Sequence, residues 1–323
     1  MKRFLILSLL AAWTFPAWSD KPGATTAQGR EPITPIPLET NLDARKVALG
    51  KALFHEPRLS HDNTISCASC HDLAKGGTDQ RARSLGINGA IGTINAPTVF
   101  NSALNFKQFW DGRAGTLEDQ IDGPVQNAQE MGSTWDEVVG KLRATPRYVS
   151  SFTEVYSDGI SPSNIKHAIG QFERSLLTPD SRFDRFLRGD AAALSFGEKE
   201  GYRKFKAYGC VSCHQGVNVG GNMFETFGAM ADYFGERGNV TKADHGRFNI
   251  TGREEDRFVF KVPGLRNITL TAPYFHDGSA ARLEDAVAVM GRYQLGHALS
   301  AEDIAQIVQF LKTLTGEYGG RPL

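Results

Sequence analysis

The chain has 323 residues and a formal net charge of zero, 36 Lys and Arg against 36 Asp and Glu. That length allows two domains of ordinary size. The balanced charge, with no long basic run and no basic segment interleaved with aromatics, argues against nucleic acid as a partner and predicts nothing beyond solubility.

Met1-Lys2-Arg3, the apolar run Phe4 to Trp13 and the stretch Pro16-Ala17-Trp18-Ser19 read as a secretory signal over residues 1–19, cleaved near Ser19-Asp20. The apolar run is too short for a membrane span, so no membrane span is expected and the product is placed in the periplasm. Residues 20–40, with Pro22, Pro32, Pro35 and Pro37, read as an extended leading strand. From Asp43 to Phe54, Val47, Leu49, Ala52 and Leu53 suit a helix that delivers the chain to Cys67-Ala68-Ser69-Cys70-His71. Two thiols three positions apart followed by histidine form the attachment signature of c-type haem. Cys67 and Cys70 can each add across a haem vinyl group, and His71 can supply an axial nitrogen.

Glycines dominate Gly76 to Gly92, which reads as loops over a haem face. Thr116-Leu117-Glu118-Asp119 looks like a helix start, and a second helix from Ser163 places Ile165, Ala168, Ile169, Phe172 and Leu176 on one face. Thr178-Pro179-Asp180 breaks that pattern and sets the expected boundary between a domain over 20–179 and one over 180–323. Ser195 with Glu198 resembles a capping box, opening a helix through Phe205 into the second motif, Cys210-Val211-Ser212-Cys213-His214. The two motifs consume all 4 cysteines. A zinc site, a redox dithiol or a pair of disulfides would also suit two CxxC pairs, but the histidine after each second cysteine, twice, with no further Cys/His cluster, favours haem.

Gly216 to Arg257 is Gly-rich and irregular. From Ser279 a helix carries Leu283, Val287 and Met290 on one face, and a last helix from Ser300 buries Ile304, Ile307, Val308, Leu311 and Leu314 before Gly316. No strand pair is evident. The expected class is mainly α, with two cytochrome c-like haem domains and long loops.

The ordered motifs Leu59-Ser60, Ser66 to His71, Asn95-Ala96-Pro97-Thr98, Phe109-Trp110-Asp111-Gly112-Arg113, Glu130-Met131-Gly132, Lys261-Val262-Pro263 and Pro273-Tyr274-Phe275-His276-Asp277-Gly278 make the chain resemble the bacterial di-haem cytochrome c peroxidase family, which includes MauG-type enzymes. The resemblance covers nearly the whole mature chain. It implies an N-terminal peroxidatic haem and a C-terminal electron-entry haem, hydrogen peroxide as substrate, and a small c-type cytochrome or cupredoxin as donor.

Carried over by position, the resemblance makes Met290 the second axial ligand opposite His214, where a thioether raises the potential. Tyr293 is the other candidate, since MauG-type members use a tyrosine on this haem. Met223 and Met230 follow His214 too closely to be attractive rivals. Glu130 matches the catalytic glutamate, which moves a proton between the oxygens of peroxide so that water departs. Gln120 is its expected hydrogen-bonding partner, and Trp110 the aromatic relay between haems. His276 is read as structural support near the second haem. Asn95, Thr271 and Pro273 match ligands of an interdomain calcium ion, and oxygen donors suit calcium. His55, His61, His167, His245 and His297 are read as surface or packing residues. A possible homodimer is implied by resemblance alone. The family's blocking histidine is replaced by Ile87, so the first haem is expected to be open in the oxidised protein, with a swing of His55 or His61 as the alternative. The rival functions are a MauG-like oxidase acting on a protein substrate and a di-haem electron carrier.

Overall fold

The computed structural model describes residues 31–323. The expected signal over residues 1–19, and the leading strand up to residue 30, lie outside the described residues.

The class is mainly α. The first helix, α1 (Ala44–Phe54), starts where the Asp43 carboxylate accepts the Arg45 N–H, and buries Leu49, Leu53 and Phe54. Cys67–Cys70 forms the short α2, and Thr116 caps α3 (Leu117–Gln126). Two further helices follow that periodicity did not announce: α4 (Trp135–Arg143), capped by Thr134, and α5 (Pro146–Val155), with proline at its first position. The helix expected from Ser163 begins earlier, as α6 (Pro162–Ser175) capped by Ser161, because Pro162 is pre-set for the first helical position. Helix α1 lies against α6 so closely that a Cβ on Gly50 would come within 1.9 Å of the Ala168 carbonyl oxygen.

The C-terminal half repeats this arrangement. After α7 (Arg182–Leu187), the expected capping box of Ser195 and Glu198 opens α8 (Phe196–Ala207). Short helices α9 (Tyr233–Arg237) and α10 (Phe248–Thr251) punctuate the glycine-rich stretch. Then come α11 (Leu283–Val289) and α12 (Ala301–Lys312), the latter capped by Ser300. A Cβ on Gly201 of α8 would sit 2.0 Å from the Gln306 carbonyl oxygen of α12. In each half a glycine thus lets the helix before the CxxCH motif press onto the last long helix.

Two buried clusters follow. Leu53, Phe54, Val125, Phe152, Ile165 and Phe172 belong to one, and Phe183, Tyr202, Phe205, Ile307, Phe310 and Leu311 to the other. The expectation of no strand pair is corrected: β1 (Phe224–Thr226) pairs antiparallel with β2 (Val259–Lys261), and β3 (Glu317–Tyr318) with β4 (Arg321–Pro322). These strands have two or three residues, too short to leave an alternating pattern in the sequence. The segment at 34–36 is held by a buried pair: Arg266 bonds Asp184 at 2.7 Å and donates to the Thr34 carbonyl, while the Ile36 N–H reaches Asp184.

Candidate active site

At the first motif, Ser66 and Ser69 cap the single turn of α2 reciprocally, and the His71 N–H closes it on the Cys67 carbonyl at 2.9 Å. The thiols are unpaired, and burial pushes the Cys67 thiol up to about 12, so it stays protonated. The His71 Nδ1 lies 3.3 Å from the Gly77 carbonyl, which fixes Nδ1–H as donor and leaves Nε2 a free lone pair. Burial lowers its pKa, which keeps the ring neutral as a metal ligand must be.

At the second motif a tight turn, Cys210–Ser212, follows Gly209 in the left-handed region. His214 is half-buried with its Nδ1 shut away from solvent, and desolvation depresses its pKa to about 4. A side chain on Gly220 (φ +127°) would strike the Pro263 carbonyl oxygen at 2.3 Å and crowd the His214 Nδ1 at 3.2 Å, so the backbone there must be bare. Cys210, Cys213, His214 and Met290 line one cavity with Phe205, Val287 and Leu311. Two thiols, a neutral imidazole and a thioether around an apolar hollow fit a c-type haem. The zinc and disulfide alternatives do not fit: the cysteines are unpaired, and among the described residues the one grouping of three or more metal-binding side chains, Asp244, His276 and Asp277, contains no cysteine.

Met290 reaches the cavity because α11 widens at its end into a π turn, Met290–Gln294. The rival Tyr293 donates its hydroxyl to Glu236 at 2.8 Å and does not line the cavity. Met230 is mostly exposed.

The segment Asn95–Thr98 is shared between the motifs. The Thr98 hydroxyl donates to the Gly76 carbonyl at 2.7 Å, and the Pro97 carbonyl faces His71. Asn95, Pro97, Thr98 and Trp110 also line the second cavity. The Trp110 indole N–H donates to the Asn95 carbonyl at 3.0 Å. Thr271 and Pro273 share this cavity with Asn95, whose amide nitrogen is used on the Arg81 carbonyl, leaving an oxygen free for a hard cation.

Glu130 sits in the turn after α3, near enough to the first motif that its charge helps to raise the Cys70 thiol. Burial raises the Glu130 carboxyl above the usual range, opposed by Asn127, whose amide donates to Oε1 at 2.6 Å. Gln120, the expected partner, lies within α3 and makes no side-chain hydrogen bond to Glu130; Asn127 bonds that carboxyl in this structure. Ile87 is buried, with its N–H on the Glu130 carbonyl at 2.9 Å.

His276 is buried and meets Asp244 at 2.8 Å, while Arg237 pairs with both Asp244 and Asp277. Its backbone carbonyl accepts the Asn95 N–H, so it supports the segment that carries Trp110. Asp244 and Asn127 were missed by sequence reasoning, since neither belongs to a motif. His55 and His61 are exposed, His167 bonds Tyr156, and His245 packs on Phe248.

A family model described as di-haem cytochrome c peroxidase matches residues 44–192. The chain is 47% identical over 318 residues to a cytochrome c551 peroxidase of Nitrosomonas europaea, covering 98% of this chain and 93% of that protein. It is 53% identical to the cytochrome c peroxidase Ccp of Escherichia coli over 89% of this chain, and spans 62% of that longer protein. The crystal structure of a MauG-like protein associated with microbial copper homeostasis superposes with a TM-score of 0.74 at 30% identity, over 95% of this chain and 96% of that one. Two haem-attachment motifs in matching halves, together with a relative of this identity along nearly its full length, mean that the chain belongs to the di-haem cytochrome c peroxidase family.

Proposed function

We infer that the chain is a periplasmic peroxidase that reduces hydrogen peroxide to water with electrons from a small c-type cytochrome or cupredoxin. The observation that carries this reading is the inequality of the two motifs: His214 shares its cavity with Met290, whereas the first motif has Glu130 nearby and a buried isoleucine at position 87. The reading divides the chain at about Thr178–Asp180, between the two buried clusters, into an N-terminal peroxidatic and a C-terminal electron-entry haem domain.

When bound, the two haems supply the one-electron steps. Cys67, Cys70 and His71 hold one, and Cys210, Cys213, His214 and Met290 the other. Glu130 takes a proton from one peroxide oxygen and returns it to the departing one, so that water leaves. Asn127 orients that carboxyl and sets how readily it ionises. Trp110, clamped to Asn95, lies on the electron path. A calcium ion held by Asn95, Thr271 and Pro273 would stiffen the same segment. A MauG-like activity would need Tyr293 in the second cavity, and its hydroxyl is turned to Glu236.

The test is steady-state peroxide consumption with a reduced small cytochrome, for the wild type and Glu130→Gln. Rapid turnover, slowed about 10²–10⁴-fold in the variant, is expected for loss of an acid/base group. A protein that only shuttles electrons would overturn the enzyme reading, and an undiminished variant would remove Glu130 from it.

A further inference from the structure

Lys261 is the last residue of β2 and is 6% exposed. Its backbone N–H holds the Trp110 carbonyl at 2.8 Å, and its side chain lines the second cavity. Among the described residues no carboxylate meets its ammonium group. The other ionisable side chains on that wall, the cysteines aside, are Glu225, Arg266, Tyr274, His214 and His276, and none makes a hydrogen bond or ion pair with Lys261. Arg266 is committed to Asp184, and Glu225 accepts the N–H of Thr226 on its own strand. Burial alone depresses the Lys261 pKa, to about 8, with no opposing anion. Even so the group is mostly cationic at neutral pH. A buried, unpaired ammonium is among the costliest groups a fold can carry, and it persists where an anion arrives to meet it.

We propose that Lys261 is the counter-ion of a carboxylate on the prosthetic group of the second cavity, a propionate in the case of haem, and that this pair sets the potential of that haem. The inference rests on reading the cavity as a haem site. Lys261 is placed for such a role because its backbone also carries Trp110, so one residue ties the cofactor edge to the tryptophan.

The experiment is a potentiometric titration of the holoprotein at pH 7, followed in the visible spectrum, with haem counted per chain. Replacing a cation beside the haem by an apolar side chain of similar length favours the oxidised form. Lys261→Met is expected to keep both haems and raise the oxidised-to-reduced ratio of the second about tenfold at fixed poise, which is about 59 mV for a one-electron couple. Lys261→Arg keeps the charge and should stay within about twofold of wild type on the same scale. If the Met variant does not fold, Lys261→Gln carries the same expectation. An unmoved potential with two haems present overturns the inference alone, as does an Arg variant that falls as far as the Met one. A wild type with no haem at the second motif overturns the cavity reading and the inference together.

Discussion

Removing the amide beside Glu130 tests the proton-transfer argument without touching the carboxyl itself. In the structure Asn127 Nδ2 donates to Glu130 Oε1 at 2.6 Å, which favours the ionised form, while burial favours the neutral one. A hydrogen bond to a charged group is worth about 1.5–3 kcal/mol. The Asn127 side is exposed, so solvent screening brings this to about 1 kcal/mol. That amounts to about fivefold in the ionised-to-neutral ratio. The sign follows: the Glu130 pKa is already raised, its base form is lost as pH falls through that pKa, and Asn127→Ala raises it further. The acid limb of the single-turnover rate against pH should therefore move to higher pH, with rates on that limb about fivefold lower and the alkaline plateau unchanged. Asn127 also accepts the Gln129 N–H at 3.0 Å, so the alanine disturbs the turn as well. Asn127→Asp keeps that acceptor and sets a second carboxylate beside Glu130, so it should move the limb in the same direction and further. An acid limb that stays in place in both variants would mean that Glu130 is not the group whose ionisation limits the reaction.

Met290→His should leave both haems attached and lower the potential of the second, because imidazole favours ferric iron more than a thioether does. An unchanged potential in a redox titration would take Met290 out of the ligand role. Asp184→Asn leaves Arg266 buried without its carboxylate, and both side chains are at most 1% exposed. Breaking such a pair costs about 3 kcal/mol, a fall of roughly 6–12 °C in calorimetric melting temperature, and a shift below about 1 °C would show that the pair contributes little.

What could be read in the sequence was local. Asp43, Thr116, Ser195 and Ser300 each cap a helix where a single side chain satisfies the first free N–H groups, and that information sits within four residues. The motif cysteines and histidines are local in the same sense. Ser163 misplaced a start because Ser161-Pro162 offered a cap and a pre-set first residue two positions earlier. The helix expected from Ser279 waits until Leu283, since the Ser279 N–H turns back to Asp277 and Tyr274 bridges Ala280. The groups that composition and spacing hid are those whose meaning depends on distant partners. Asp184 and Arg266 stand far apart in sequence, and the isolation of Lys261 is visible only once every other charge has been placed.

Position 87 is where local and distant information meet. Ile87 donates its N–H to the Glu130 carbonyl at 2.9 Å, and its Cδ1 packs so tightly on Gly132 that a Cβ there would come within 2.4 Å. Gly132 has φ +58°, so the turn carrying Glu130 is shaped around this isoleucine. A side chain that packs here braces the acid/base turn and has no atom to offer iron. No histidine or methionine lies between His71 and Met131 to take that place. The two remote histidines are engaged: His55 Nδ1 lies 2.9 Å from the Lys51 carbonyl, and His61 pairs with Glu137 at 3.0 Å while its carbonyl receives Lys141. The lysine and His61 together hold the Glu137 carboxyl down at about 2, so the carboxylate that His61 meets stays ionised across the working pH range. Recruiting either histidine would forfeit those bonds and rebuild the loop. The expected outcome is a first haem without a second protein ligand in the fully oxidised protein, and reaction with peroxide before any reduction of the second haem. Magnetic resonance of the oxidised protein reads the spin state directly. Low-spin bis-histidine signals from the first haem, with peroxide reactivity appearing only after half-reduction, would refute the argument from Ile87.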